Sequence, residues 1–246
     1  MTTVEGVDLR WLRGIGSRRD TARLRVYAFH HAGGSASAYQ WNKFFPDHVE
    51  VCGVQLPGRE SRFLEAPITR LEAVAGELAS TIASTADLPF VFFGHSMGAL
   101  IAFNVTRRLA GQGGPLPRHL FVSAHRAPHL PDRESIRQLP DDELLARLND
   151  SRLAALDPDM RELFLPILRA DIAICETYQH VSDRALPCPI TALGGLEDDM
   201  VDQTELHGWR VHTSDRFDIR LFPGGHFYLR GSEGLLADHM RRRLAA

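Results

Sequence analysis

The chain has few cysteines, a single lysine and no long hydrophobic stretch. Its three cysteines (Cys52, Cys175 and Cys188) are widely spaced and include no Cys-x-x-Cys pair, which argues against a disulfide framework. No run approaches the ~20 apolar residues of a membrane span, and the first residues contain no apolar core of a secretory signal. These absences predict a cytoplasmic protein with free thiols.

Neither sign of charge is in excess. The 28 Lys and Arg residues and 31 Asp and Glu residues leave a net charge of -3 with histidine neutral. This balance disfavours a basic nucleic-acid-binding protein and a polybasic membrane anchor. We therefore expect neither a nucleic acid nor a membrane as a partner. A content of 44% hydrophobic and 24% charged residues in 246 residues is typical of a soluble protein built around one large core.

Short apolar runs bounded by turn residues predict buried strands, and helix-like stretches separate several of them. This alternation predicts an α/β fold with a mostly parallel sheet flanked by helices. We expect residues 1–22 to form an N-terminal arm and residues 23–246 to form the domain. The predicted strands are residues 24–29, 49–54, 90–93, 119–123, 190–193 and 217–222, and the clearest helices are residues 71–84 and 98–109.

The stretch between residues 124 and 189 is too long for one crossover connection, so the sequence predicts an insertion at about 127–187. One helix should begin at Asp141, and a second should be capped by Asp157, with Pro166 expected to kink or divide it. These helices either simply pack on the domain or form a lid that covers a hydrophobic substrate. In the second case, Phe164 and Leu168 on the apolar face should influence which hydrophobic substrates are accepted.

The segment Gly94-His95-Ser96-Met97-Gly98 joins a predicted strand to a predicted helix. Gly-x-Ser-x-Gly in this setting is typical of a nucleophile elbow, a turn so tight that side chains two positions either side of the serine would collide with backbone. The helix N-terminus that follows favours developing negative charge. Ser96 is therefore the candidate nucleophile.

A serine nucleophile needs a histidine base and a carboxylate that orients it, in the chain order Ser, acid, His for this type of site. The loop after residue 222 presents His226, and the turn after the preceding predicted strand carries three acids, Glu197, Asp198 and Asp199. A metal site from Asp198, Asp199 and Asp202 is disfavoured because such a triad needs no metal, and we expect no cofactor. Two further histidines, His125 and His129, are predicted to lie in a loop.

An oxyanion hole requires two backbone donors. The N–H of Met97, directly after the candidate nucleophile, should supply one of them. The second is expected from the glycine-rich loop that follows the first long strand, His30-His31-Ala32-Gly33-Gly34.

Several further segments have a recognisable sequence. They are FHHAGGSA at 29–36, QLPGRESR at 55–62, the elbow, RAPHLP at 126–131, LPDDEL at 139–144, LRAD at 168–171 and FPGGHF at 222–227. Together they resemble type II thioesterases, which accompany polyketide synthases and nonribosomal peptide synthetases, and the resemblance spans about residues 24 to 229. It implies an α/β-hydrolase with a helical lid that hydrolyses acyl thioesters on the phosphopantetheine arm of acyl or peptidyl carrier proteins, removing aberrant or stalled acyl groups.

Carried over by position, the resemblance assigns Ser96 as nucleophile, His226 as base, Asp198 as acid, and Ala32 and Met97 as oxyanion donors. The sequence departs from the family at His30 and Asp199, where proline is usual, and the second departure leaves Asp199 as an alternative acid.

An esterase and an acyltransferase or cyclase share the same triad chemistry and stay open as alternatives. A non-catalytic binding module is disfavoured by the intact Ser, acid and His. Arg59, Arg62 and Arg126 are candidates for steering an acidic carrier protein, or are structural arginines.

Overall fold

The apolar segments form a seven-stranded sheet in which all but one edge strand run parallel. The computed structural model describes residues 3–4, 7–18, 20–131, 133–148, 150, 153, 155–182 and 184–245. Within that part of the chain, two short strands, β1 (Thr3–Val4) and β2 (Val7–Asp8), pair with each other, and seven further strands form the main sheet in the order β3-β5-β4-β6-β7-β8-β9. The main strands are β3 (Leu12–Arg13), β4 (Leu24–Phe29), β5 (Val49–Val54), β6 (Phe90–His95), β7 (Leu120–Ser123), β8 (Ile190–Gly195) and β9 (Phe217–Phe222).

Six of these strands lie where the apolar runs predicted them. The mostly parallel sheet is confirmed, and β3 is the addition: two residues of the expected N-terminal arm pair antiparallel with β5 at the edge. Nearly all residues of the central strands are shielded from water, because the sheet is covered on both faces. These strands therefore appear in the sequence as continuous apolar runs.

Helices cover both faces of the sheet. On one face α1 (Leu71–Thr85) packs against α2 (Met97–Gly111), and on the other α6 (Glu233–Ala245) packs near the turn at Trp41–Phe44 that follows β4. The connections after the adjacent strands β4 and β6 therefore leave on opposite faces. Such a switch in topology opens a crevice at the carboxyl ends of the two strands, which is where α/β sheets bind ligands. A short helix, α5 (Gln203–His207), follows β8.

The insertion contains α3 (Asp141–Leu148) and α4 (Pro158–Glu176), which share a hydrophobic cluster of their own. Asp157 caps α4 as predicted, since its carboxylate accepts a hydrogen bond from the Met160 N–H. Of the kink and the division predicted at Pro166, the division is wrong, because α4 runs unbroken through it. Proline has no N–H group, so the Glu162 carbonyl one turn earlier loses its helical hydrogen bond. Glu162 and Pro166 are both exposed, so water can donate to that carbonyl instead.

No helix among the described residues has the length and apolar character needed to cross a membrane.

Candidate active site

Ser96 occupies a strained turn between β6 and α2. Its φ of 54° and ψ of -123° lie outside the regions that side chains favour, and its N–H donates to the Ser123 carbonyl at 2.7 Å. A Cβ on Gly94 would lie 2.2 Å from the Gly98 oxygen, and one on Gly98 would lie 2.1 Å from the Phe29 oxygen. The two glycines thus permit the close approach of α2 to β6 and β4, and the turn has the geometry of a nucleophile elbow.

His226 and Asp198 meet where the loops after β8 and β9 run side by side. The His226 Nδ1 lies 3.0 Å from Asp198 Oδ2 and 3.2 Å from Oδ1. Backbone contacts hold the loops together: the Glu197 N–H donates to the Gly224 carbonyl at 3.0 Å, and a Cβ on Gly195 would lie 2.3 Å from that same oxygen. The pairing therefore follows from the parallel register of β8 and β9.

The Asp198 side chain is 1% exposed, and both of its carboxylate oxygens have hydrogen-bond partners. Its Oδ1 also accepts the N–H groups of Met200 and Val201 at 2.9 and 3.1 Å. Burial acts to raise the pKa of Asp198, but the His226 hydrogen bond and these amides outweigh it and hold the pKa below its usual value. The neighbouring Asp199 is exposed, so of the two adjacent aspartates it is Asp198 that contacts His226.

Ser96 and His226 border one cavity of about 630 Å³ at the crevice between β4 and β6. Ala32 and Met97, the candidate oxyanion donors, line it too, so the structure brings four of the five predicted site residues to this cavity and places Asp198 behind His226. Most of the remaining wall is apolar and comes from α2, α3, α4 and the loops after β7 and β8. This wall includes Leu100, Ala127, Leu130, Ile136, Ile172 and Val201.

A second, more polar cleft of about 400 Å³ also borders His226. It is lined by Asp150, Glu197 and Arg230 among others, and Arg230 forms a two-pronged ion pair with Asp150 at 2.8 Å for both contacts. His226 therefore lines both an apolar cavity and a polar cleft. Within the described residues, no three His, Cys, Asp or Glu side chains are grouped to hold a metal ion.

The arginines considered for steering are mostly committed elsewhere. Arg59 is buried and binds Asp171 of α4 through two contacts of 2.6 and 2.7 Å. Arg62 is buried against Trp11 and pairs with Glu65 at 2.7 Å. These two arginines are structural, because a buried and paired guanidinium cannot attract a partner in solution. Arg126 lines the cavity and lies 3.8 Å from Glu205.

The histidines at 125 and 129 lie in the loop after β7, as predicted. His125 lines the cavity, and its pKa falls to about 4 because of burial. His129 contacts His212 at 2.8 Å, away from the candidate triad.

A buried polar chain beneath Ser96 was not anticipated from the sequence. His95 Nδ1 lies 2.8 Å from the Ser123 hydroxyl, which lies 2.8 Å from the Tyr228 hydroxyl. Burial lowers the pKa of His95 far below its usual value, so the ring stays neutral. These three hydrogen-bonded side chains connect β6, β7 and the His226 loop. No local signal could have revealed them, because they are distant in sequence.

The lid prediction needs one correction. Phe164 and Leu168 do not line the cavity: a Cβ on Gly33 would lie 2.4 Å from the Phe164 ring and 3.3 Å from Leu168, so both cover the glycine-rich loop. The α4 residues that do reach the cavity are Ile172, Cys175 and Glu176, one to two turns further along. The apolar face is longer than the cavity, and helical periodicity alone cannot tell which turn meets it.

The parallel sheet, the elbow after β6 and the Asp-His pair after β8 and β9 define an α/β-hydrolase. The profile of the thioesterase domain family matches residues 24–244, nearly the whole chain. The chain belongs to the thioesterase family, and the resemblance drawn from its motifs is confirmed.

Two curated relatives and one solved structure are similar to this chain along nearly all of their length. The chain is 39% identical to the gramicidin S biosynthesis protein GrsT of Aneurinibacillus migulanus over 234 residues, covering 91% of this chain and 90% of that protein. It is 42% identical to the linear gramicidin dehydrogenase LgrE of Brevibacillus parabrevis over 245 residues, with 93% and 90% covered. The type II thioesterase BorB from the borrelidin biosynthetic cluster superposes with a TM-score of 0.84 at 33% identity, with 99% and 100% covered.

Proposed function

We propose that the protein hydrolyses acyl thioesters on the phosphopantetheine arm of acyl or peptidyl carrier proteins, and so removes aberrant or stalled acyl groups during polyketide or nonribosomal peptide biosynthesis. The observation that carries the proposal is the elbow serine and the Asp-bound His226 on one largely apolar cavity. The similarity to GrsT and BorB supports the biosynthetic setting.

In the first half-reaction His226 takes the proton of Ser96 as the serine oxygen attacks the thioester carbonyl. Asp198 keeps the histidine hydrogen on Nδ1, which leaves Nε2 free to accept that proton, and stabilises the imidazolium that forms. When the tetrahedral intermediate collapses, the C–S bond breaks and His226 returns the proton to the pantetheine thiolate. The acyl group stays on Ser96 as an oxygen ester.

In the second half-reaction a water molecule takes the place of the thiol. His226 removes one of its protons as the water oxygen attacks the acyl carbonyl, and then donates that proton to the Ser96 oxygen as the ester bond breaks. The products are the free carboxylic acid and regenerated enzyme. In each half the N–H groups of Ala32 and Met97 hold the oxyanion, and one such donor contributes roughly 3 kcal/mol to the transition state.

The apolar wall is the proposed site of the acyl chain. Helices α3 and α4 then act as a lid that keeps bulk water from the acyl-enzyme. The cysteines suit a reducing cytoplasm, which is the location we propose: Cys52, Cys175 and Cys188 are all free.

Mass spectrometry of a carrier protein loaded with different acyl groups tests the proposal. The wild-type enzyme should return the carrier to its free-thiol mass and release the acid, whereas Ser96→Ala should leave the acyl carrier unchanged and lose labelling by a fluorophosphonate. Ser80→Ala, on the exposed side of α1, is the matched control and should behave as wild type. Hydrolysis by Ser96→Ala near the wild-type rate would exclude the serine mechanism.

The products also separate the alternatives. An acyltransferase or cyclase would give an ester, amide or ring rather than the acid. A reductive enzyme, as the name of LgrE suggests for that protein, would give an aldehyde and would need a hydride donor. An esterase would turn over matched oxygen esters faster than acyl-pantetheine thioesters, and a binding module would give no product.

A further inference from the structure

Ala32 lies between two peptide groups that are each held by a side chain. If the Ala32 N–H is an oxyanion donor, as the proposed function requires, its direction depends on how those two groups are turned. The inference below therefore rests on the proposed function.

The peptide between His31 and Ala32 is fixed through its carbonyl. The His31 oxygen accepts one hydrogen bond from the Gly34 N–H at 2.9 Å and a second from the His30 ring Nδ1 at 2.8 Å. A trans peptide is planar, and its N–H points opposite to its C=O. Holding the His31 carbonyl therefore directs the Ala32 N–H the other way.

The His30 ring is suited to this contact. It is 2% exposed, and burial, followed by the charge of Arg59, lowers its pKa to about 3, so it is neutral at physiological pH. Because a carbonyl oxygen only accepts, the single ring hydrogen must be on Nδ1. The other nitrogen, Nε2, is buried and has no hydrogen-bond partner in the described part of the chain. The ring thus leaves one polar atom unsatisfied while making the contact to His31.

The peptide between Ala32 and Gly33 is fixed through its N–H. Gly33 donates to Asp171 Oδ2 at 2.7 Å, and the carboxylate of Asp171 is completely buried. Arg59 holds both oxygens of that carboxylate and also donates to the Gly34 carbonyl at 3.1 Å. The ion pair therefore ties the loop to α4 from both of its glycines.

We propose that His30 and Asp171 are positioning residues that turn the two peptide groups flanking Ala32 so that its N–H faces the substrate carbonyl oxygen. Neither side chain touches the substrate. Asp171 acts together with Arg59, whose charge it neutralises, and His30 acts from the opposite side of Ala32.

His30→Leu and His30→Asn test the first contact as a matched pair. Leucine removes the donor, so kcat should fall about tenfold, the effect of one hydrogen bond, with KM within about twofold. Asparagine carries an N–H group at the position of Nδ1 and should restore most of kcat.

The Asp171 contact needs a variant that avoids an isolated buried charge. Asp171→Asn leaves Arg59 unpaired and is expected to fold poorly. The double variant Asp171→Leu with Arg59→Met removes both charges, and its kcat should fall about 100-fold because the loop loses its clamp.

An inhibitor pair reports on the oxyanion hole itself. A trifluoromethyl ketone analogue of acyl-pantetheine accepts the Ser96 oxygen at its carbonyl carbon, the serine proton passes to His226, and the ketone oxygen becomes an oxyanion. The matching thioether has no carbonyl at that position and binds without this adduct. In His30→Leu and in the double variant, the Ki of the ketone should rise by the factor that kcat loses, whereas the Ki of the thioether should stay unchanged. Partial unfolding cannot imitate this result, since Ki does not depend on the fraction of active enzyme.

An unchanged ratio of the two Ki values in both variants would overturn the proposal and leave His30 and Asp171 as purely structural residues. If the wild-type enzyme instead releases no acid from acyl carriers, or binds the ketone no more tightly than the thioether, the proposed function fails first and the positioning role fails with it.

Discussion

Replacing Asp198 with asparagine should disable the enzyme through the histidine tautomer rather than through the fold. In the native structure Oδ1 accepts the N–H groups of Met200 and Val201, and Oδ2 lies 3.0 Å from His226 Nδ1. An asparagine side chain has one oxygen, and the two backbone donors will hold it at the Oδ1 position. Its NH₂ group must then face Nδ1.

Two donors cannot face each other, so Nδ1 of His226 gives up its hydrogen and Nε2 takes it. The imidazole can then no longer accept the proton of Ser96. The loss of this tautomer lowers turnover by up to ~10⁴-fold in serine hydrolases. Because the two backbone hydrogen bonds to residue 198 survive, we expect the unfolding temperature to change little.

Steady-state release of thiol from acyl-pantetheine measures the effect, and thermal unfolding checks the fold. Asp199→Asn is the matched control: its side chain is exposed, so its rate should stay within about tenfold of wild type. A severe loss in Asp199→Asn with a mild one in Asp198→Asn would refute the reasoning, and would show that the acid acts from the neighbouring position.

Three further outcomes are expected. Gly98→Ala should lower the free energy of unfolding by more than about 4 kcal/mol, because the added Cβ would lie 2.1 Å from the Phe29 carbonyl oxygen. Gly111→Ala in the same helix is the control: its added Cβ has no atom within 4 Å, so thermal unfolding should be unchanged. Ile172→Phe should lower kcat/KM for a decanoyl thioester about tenfold relative to acetyl, whereas Leu163→Phe on the exposed side of α4 should not, and equal effects on both substrates would contradict the cavity assignment. The free energy of unfolding should fall as the pH is lowered. Burial is the main cause that lowers the pKa of His30 to about 3, that of His119 to about 4, and that of His95 well below 6.5. Below pH 6.5 these histidines then bind protons in the unfolded chain but not in the folded protein. His30 and His119 together should cost about 4 kcal/mol between pH 7 and 5, and His95 adds to this loss. The loss is measured as a drop in the unfolding midpoint that His119→Phe reduces, and an unchanged midpoint would contradict this account.

The features that the sequence predicted are those governed by neighbours along the chain. Buried strands appear as apolar runs, the elbow needs glycines at fixed offsets from Ser96, and Asp157 caps the residues that follow it. Asp198 and His226 could be predicted because each follows a strand, and parallel strands end at one edge of a sheet.

Contacts between distant segments escaped prediction. The sequence left Arg59 open as a steering or a structural arginine, because a lone arginine in a polar stretch carries no sign of its partner, and Asp171 lies 112 residues further along the chain. The edge strand β3 is two residues long, too short for any periodicity to reveal it. For Phe164 and Leu168 the apolar face was evident, but which turn of α4 meets the cavity depends on how the insertion packs on the domain.

The backbone conformation of Ser96 places stability and function in conflict at one residue. A φ of 54° in a residue with a Cβ costs about 1–3 kcal/mol, against the roughly 5–15 kcal/mol that a domain has in total. Glycine adopts positive φ far more readily and would relieve that strain. Directed evolution that scores only survival of heating would therefore enrich glycine at position 96, and under the proposed mechanism its most thermostable clones would be unable to form an acyl-enzyme.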